Sequence, residues 1–261
     1  MLQAFSLKGI KKKLLIIANI DLTMPEEVRH SGLMLENLVL NKKFTFSEED
    51  ELLNYLSKKG SLRKIQLLYE KFETDLEVSF AREIVREHLS AYQLYLMYER
   101  FMDLIKNEIK LANIKRRETV LLIGSGPFPI TAILLNKLAS CNVDCYEKNK
   151  KYVELSKKVI SQLGLANKIR IKTIKGECFN NDNYSTIIVA LLAKPKDKIL
   201  QILKERISID TKIICRTSDR VRQVFYEATN QDHLEGYKIV KKNYAKGNQT
   251  ISSVLLKKVN L

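Results

Sequence analysis

Apolar residues recur along the first part of the chain at the spacing of one helical face. Residues 47–59 predict a helix: Ser47 and the acidic first turn Glu48, Glu49 and Asp50 precede Leu52, Leu53 and Leu56, and Gly60 stops the run. A second helix is predicted behind the cap Ser61, where Leu62, Ile65, Leu68, Tyr69, Phe72, Leu76, Phe80 and Ile84 recur every three or four residues. A third, over 91–111, places Leu94, Met97, Phe101, Leu104 and Ile105 on one stripe, with Tyr92, Tyr95 and Tyr98 beside it. Residues 8–20 pair a basic cluster (Lys11, Lys12, Lys13) with a short apolar stretch and read as a surface helix. After Arg117 the period changes. Strands are predicted at 119–124, 142–147, 168–174, 185–191 and 211–217, and helices at 129–139, 150–163 and 196–206. Alternating strands and helices predict an α/β fold with a doubly wound parallel sheet. Two further strands, 237–244 and 250–257, close the chain as a hairpin around Lys246, Gly247 and Asn248.

Composition sharpens this picture only in part. A chain of 261 residues that is 45% hydrophobic and 29% charged is not a disordered one. No apolar run approaches the roughly 20 residues that span a bilayer, and residues 8–20 lack a small-residue cleavage site. Cys141, Cys145, Cys178 and Cys215 form no C-x-x-C motif, which points to reduced thiols and a cytoplasmic location. Charge is more telling. The net +15 lies wholly in one half: residues 1–113 carry 17 Lys+Arg against 17 Asp+Glu, and residues 114–261 carry 28 against 13. With the change of period, this predicts an all-α N-terminal domain, 1–113, and a Rossmann-like domain, 114–261. A basic half can attract RNA or another polyanion. Its lysines are scattered rather than run together with aromatics, which argues against a nucleic-acid stripe.

One loop concentrates the chemistry. Of nine glycines and four prolines, two of each fall in Gly124-Ser125-Gly126-Pro127-Phe128-Pro129, between a buried strand and a helix. Glycines there let backbone approach a ligand, whereas prolines remove donors and fix φ, and Pro129 suits a first helical position. Such a stiff, donor-poor loop fits a nucleoside better than a pyrophosphate, and the dinucleotide pattern would need Gly where Pro129 stands. Glu147 ends the second strand, 23 residues after Gly124, where a carboxylate can accept both ribose hydroxyls. Glu177 follows the third strand, where an acid can receive an adenine amino group. With the terminal hairpin, usual in S-adenosylmethionine (SAM) methyltransferase-like folds, these features predict a SAM site lined by Gly124, Ser125, Gly126, Pro127, Phe128, Glu147 and Glu177. His30, His88 and His233 have no metal-ligand spacing, so no enzyme-bound metal is expected.

Residues 121–131, L-L-I-G-S-G-P-F-P-I-T, resemble the nicotianamine synthase family, whose loop reads G-S/G-G-P-x-P-x-T. The resemblance continues through Glu147, the helix at 154–160, Ala190 to Lys196, Arg216-Thr217, and the segment from Tyr98-Glu99-Arg100-Phe101 to Lys106-Asn107-Glu108. It covers nearly all of 95–258 and is closest to the archaeal members. It implies transfer of the 3-amino-3-carboxypropyl (aminobutanoyl) group of SAM to an amine, with release of 5′-methylthioadenosine. Archaeal members make a glutamate-capped product, and bacterial opine-type enzymes transfer one unit to an amino acid such as histidine. The product, a metallophore, binds the metal. By the same resemblance Glu77 is the base that deprotonates the amine, with Asp75 the alternative, Tyr98 lines the methionyl arm, and Ala190 joins the residues that bind SAM. Arg100, Lys194 and Arg216 are expected to meet substrate carboxylates. Two departures bear on the acceptor: Phe101 stands for the motif's second tyrosine, and Lys194 for an acidic residue of close relatives. The expected partners are a small amine or amino acid and, in assembly, a second copy of the chain. A SAM-dependent methyltransferase acting on RNA, suggested by the basic half, is the competing reading, and a non-catalytic SAM- or RNA-binding module the third.

Overall fold

The computed structural model describes residues 6–180 and 184–259. These divide into two compact units, one of residues 1–75, 217–228 and 245–251, the other of 76–216, 229–244 and 252–261. The helix-to-strand change does fall after residue 113, but the units are drawn elsewhere, within a helix and through two C-terminal excursions.

The first unit is helical. Helix α1 (Leu7–Ile17) is capped by Ser6, whose hydroxyl accepts from Gly9 N at 3.2 Å, and it buries Ile10, Leu14 and Ile17. Helix α2 (Pro25–Leu40) carries Pro25 at its start, where an N–H would have no intrahelical acceptor, with Glu26 and Glu27 in the first turn, where the helix dipole favours negative charge. Helix α3 (Phe46–Lys58) begins at Thr45, not at Ser47: Thr45 and Glu48 form a reciprocal capping box. The acidic run had suggested the later cap, and the box of Thr45 with Glu48 three residues on satisfies two orphan donors at once. Helix α4 (Leu62–Arg86) runs on past this unit. A Cβ at Gly32 of α2 would stand 2.3 Å from Cγ of Phe72, so only glycine admits that ring. Tyr69 packs against Phe72, Phe225 and Tyr226 at centroid distances of 5.5, 4.7 and 5.2 Å, and Gln66 Nε2 donates to Gln223 O at 2.8 Å. Those contacts, the last spanning 157 residues of sequence, draw residues 217–228 into a core that hydropathy places at the start of the chain.

The second unit is built on a seven-stranded sheet. Strands β1 (Thr119–Ile123), β2 (Asn142–Glu147), β3 (Ile169–Thr173), β4 (Thr186–Val189) and β5 (Lys212–Thr217) precede the antiparallel pair β6 (Tyr237–Asn243) and β7 (Ser252–Lys258). Their order is β3-β2-β1-β4-β5-β7-β6, with β1 to β5 parallel. Strands β1 and β4 are apolar after their first threonine, as strands covered on both faces require, and β1 leaves only Thr119 short of full burial. Helices α6 (Ile130–Ala139), α7 (Lys150–Gln162) and α8 (Lys196–Arg206) connect them. The order reverses between β1 and β4, the switch point at which open α/β sheets bind ligands beyond the strand ends.

One expected helix is broken. Residues 91–111 hold a 3-10 turn at Tyr92–Leu94 and then α5 (Tyr98–Ala112), closed by Asn113 at φ +48°. A continuous helix would have buried Leu94, which is 70% exposed, whereas Tyr95 is buried. The ring of Tyr95 lies 5.4 Å from Phe80 and 5.0 Å from Phe128, and that aromatic packing overrides helical propensity. Among the described residues no helix is long and apolar enough to cross a membrane, and no group of three or more His, Cys, Asp or Glu could hold a metal ion.

Candidate active site

The glycine–proline loop leaves β1 at the switch point. Gly124 N donates to Tyr146 O at 2.8 Å, and Gly124 and Gly126 both lie in the left-handed region, at φ +85° and +70°. Space as well as φ demands glycine. A Cβ on Gly124 would come within 3.0 Å of Ala193 Cβ and 3.3 Å of Ala190 Cβ; one on Gly126 would stand 2.5 Å from Glu77 Oε2. The Glu77 carboxylate, on the second-unit part of α4, therefore rests directly against the loop. One turn later Phe80 packs edge-on to Phe128 at 5.0 Å, and Phe128 is fully buried. Pro127 is buried too, and Pro129 takes the N-cap position of α6 rather than its first turn.

Glu147, at the end of β2, is 8% exposed and accepts two backbone donors, Gly126 N at 3.1 Å on Oε2 and Asn149 N at 2.8 Å on Oε1. Each oxygen has a further lone pair, so the carboxylate both ties down the loop and stays able to accept hydroxyls. Glu177 lies in a 3-10 turn, Gly176–Cys178, after β3. A Cβ at Gly176 would be 2.6 Å from Ile123 Cγ2, which sets this turn against the end of β1. Glu177 Oε2 is buried without a hydrogen-bond partner among the described residues. Buried acceptors in that state are costly unless a ligand or water completes them. Ala190 N donates to Ile123 O at 3.0 Å, closing the floor between β1 and β4.

The other expected residues are placed differently. Tyr98 is buried, and its hydroxyl accepts from Lys137 Nζ at 3.2 Å in the last turn of α6, the end away from the loop. That hydrogen bond, with a second that the ammonium donates to Tyr92, raises the Lys137 pKa above the usual lysine value. Arg100 stands in the first turn of α5 with Nη1 3.8 Å from Met97 Sδ. Lys194 is half-buried, precedes a cis peptide bond to Pro195, and offers its carbonyl to Lys148 Nζ at 3.1 Å. Arg216 is 3% exposed and grips Glu108: Nε to Oε1 and Nη2 to Oε2, each at 2.9 Å. Expected on sequence to meet a substrate carboxylate, it already holds an internal one. Its position at a strand end could not reveal a partner 108 residues distant.

The structure thus gathers Glu77, Gly124, Gly126, Phe128, Glu147, Glu177 and Ala190 at the ends of β1 to β4. It adds Tyr95, Phe80 and Ala193, which sequence reasoning missed. Ala193 lay in a quoted motif, but Tyr95 was hidden by a periodicity that suited an unbroken helix.

Comparison with known proteins follows this geometry. The family model described as nicotianamine synthase protein matches residues 47–261. L-histidine 2-aminobutanoyltransferase of Yersinia pestis is 29% identical over 126 residues, 48% of this chain and 47% of that protein. The enzyme of the same description from Pseudomonas aeruginosa is 19% identical over 139 residues, 53% of each. The matches span about half the length of these curated relatives. Over nearly the whole chain, the crystal structure of MtNAS in complex with MTA and tNA superposes with a TM-score of 0.87 at 26% identity, covering 97% of each chain. A glutamine-for-glutamate mutant of MtNAS in complex with S-adenosylmethionine gives 0.85 at 25%, covering 97% of this chain and 98% of that one.

Proposed function

Since the chain belongs to the nicotianamine synthase family, we propose that it transfers the 3-amino-3-carboxypropyl group of SAM to the nitrogen of a small amine or amino acid, releasing 5′-methylthioadenosine. The observation that carries this reading is the Glu77 carboxylate against Gly126. An RNA methyltransferase needs no acid there, whereas an amine acceptor, mostly protonated at neutral pH, does.

The loop and its acids hold the nucleoside: Glu147 receives ribose hydroxyls, and Glu177 Oε2, without a partner among the described residues, receives the adenine amino group. Which sulfonium carbon reacts is then a matter of orientation, because all three are activated alike. The nitrogen lone pair forms the new bond to the methylene carbon of the longer arm. The carbon–sulfur bond breaks, and sulfur leaves with the electron pair as a neutral thioether. Glu77 takes the proton that the nitrogen loses. Arg100 and Lys194 are the cations we assign to substrate carboxylates. The product is a metal-chelating metallophore made in the cytoplasm, where free thiols such as those of Cys141, Cys145, Cys178 and Cys215 stay reduced.

The protein incubated with SAM and histidine, with SAM and glutamate, or with SAM alone, followed by mass spectrometry, tests this. Methylthioadenosine together with an aminobutanoylated acceptor is expected. Glu77→Gln should lower turnover by about 10²–10⁴-fold, the range of a positioned base, with the Kd for SAM nearly unchanged. S-adenosylhomocysteine and methylated RNA would overturn the reading in favour of a methyltransferase, and SAM bound but never consumed would leave a binding module.

A further inference from the structure

Thr131 closes the loop motif, and Glu108 and Arg216 lie in segments that carry the family resemblance, yet the transfer chemistry uses none of them. Glu108 is fully buried and Arg216 nearly so. Beyond its two-pronged grip on Glu108, Arg216 sets Nη1 and Nη2 on the Thr131 hydroxyl, each at 3.1 Å. Ser253 Oγ donates to Glu108 Oε1 at 2.7 Å. Four elements therefore meet at one buried charge pair: α5 through Glu108, α6 through Thr131, β5 through Arg216 and β7 through Ser253. Thr131 is the second residue of α6, immediately behind the loop.

Stability is a poor reason for such a pair. Desolvating both charges offsets most of their attraction, and apolar residues of similar volume often serve as well or better. Location gives a better reason. The guanidinium sits on the first turn of α6, where the helix dipole is itself positive. A charge buried there is weakly screened by water or salt. Left alone, it would oppose any cation brought to the loop.

Building on the proposed function, we infer that Glu108 is a positioning residue: it cancels the Arg216 charge, so that the guanidinium can hold Thr131 and the start of α6 without repelling a sulfonium nucleoside. The device favours SAM, which carries net positive charge, over uncharged methylthioadenosine, the form in which the nucleoside leaves.

Calorimetric Kd values for SAM and methylthioadenosine test it, on the wild type, Glu108→Gln, and the double variant Glu108→Gln/Arg216→Met. Glutamine removes the negative charge and keeps one acceptor for the guanidinium, while the other carboxylate oxygen becomes an amide donor. Glu108→Gln should weaken SAM about tenfold more than methylthioadenosine, as an unscreened like charge does at this range. The double variant, with both charges gone, should return the SAM-to-methylthioadenosine ratio to within about twofold of wild type. Equal weakening of both ligands, no change in either, or a double variant that keeps the SAM-selective defect overturns the inference. If Glu108→Gln does not fold, the double variant decides: folded protein with the wild-type ratio supports compensation, and failure to fold makes the pair a folding element and overturns it. A wild type that binds neither ligand overturns the functional reading itself, a result distinct from all of these.

Discussion

Two arginine–carboxylate forks in the same sheet share a geometry and a buried carboxylate, and differ in the exposure of the arginine. Arg170 on β3 sets Nε and Nη2 on Asp144 at 2.7 and 3.0 Å; Arg216 on β5 sets the same two atoms on Glu108 at 2.9 Å each. The Arg170 side chain is 63% exposed and that of Arg216 is 4%. Strand order explains the contrast. β3 is an edge strand, so its arginine reaches water, whereas β5 is interior and α5 and α6 supply the groups that Arg216 meets. Asp144 also has reserves: Tyr184 donates to it at 2.8 Å and Lys172 Nζ lies 3.7 Å away. Identical fork chemistry thus makes a solvated staple at the sheet's edge and a charge-neutral node beneath the ligand loop at its middle.

Removing one member of each pair should separate them most. Arg216→Met leaves Glu108 buried without its cation and should cost about 3–5 kcal/mol in denaturant unfolding. Arg170→Met should cost less, about 1 kcal/mol, because water can enter where the exposed guanidinium stood and Asp144, itself buried, keeps Tyr184 and Lys172 as partners. Raising NaCl to about 1 M should erase the smaller loss, because the Debye length falls to roughly 3 Å, and should leave the larger nearly intact. Equal losses in the two variants would dissolve the comparison.

That contrast also marks what was legible in the sequence. The sheet and its loop were, because strand ends, glycine–proline density and the spacing of Glu147 and Glu177 are local signals. Glu77 was reached through resemblance alone; nothing in the spacing of α4 separates it from Glu70 or Glu73. The fate of Arg216 was not legible. A strand end announces that a residue is near the site, but the pleat and a partner on a distant helix decide whether its charge is available. Tyr95 was lost for a related reason: contacts with Phe80 and Phe128, made across the fold, displaced the helical register that Leu94 and Met97 suggested.

A middle-sized effect is expected at the edge pair's reserve. The Tyr184 hydroxyl is buried, and its ionisation is pushed well above the ordinary phenol value, first by burial and then by its hydrogen bond to Asp144. A folded-state pKa raised in this way favours the protonated phenol, so the stabilisation is complete below about pH 10 and is lost as pH rises beyond it. Tyr184→Phe should cost about 1 kcal/mol at neutral pH. It should also flatten the alkaline fall in stability relative to wild type. An unchanged alkaline limb would mean that this phenol is no part of the support for Asp144.

The smallest effect concerns the cysteines, which repeat the contrast of interior and rim in uncharged form. Cys141, Cys145 and Cys215 are buried, and Cys178, beside Glu177 after β3, is exposed. Burial pushes all three interior thiols up, Cys141 to about 11. At pH 8 that leaves about a thousandth of Cys141 as the thiolate that reacts, before any barrier to access is counted. Iodoacetamide on the folded chain should therefore add one adduct, at Cys178, read by mass spectrometry of the digest. A modification at an exposed turn should move stability by less than about 0.5 kcal/mol. Labelling of Cys145 or Cys215 at a comparable rate would show that the interior of this sheet opens as readily as its rim, and the distinction between the two arginine forks would lose its basis in burial.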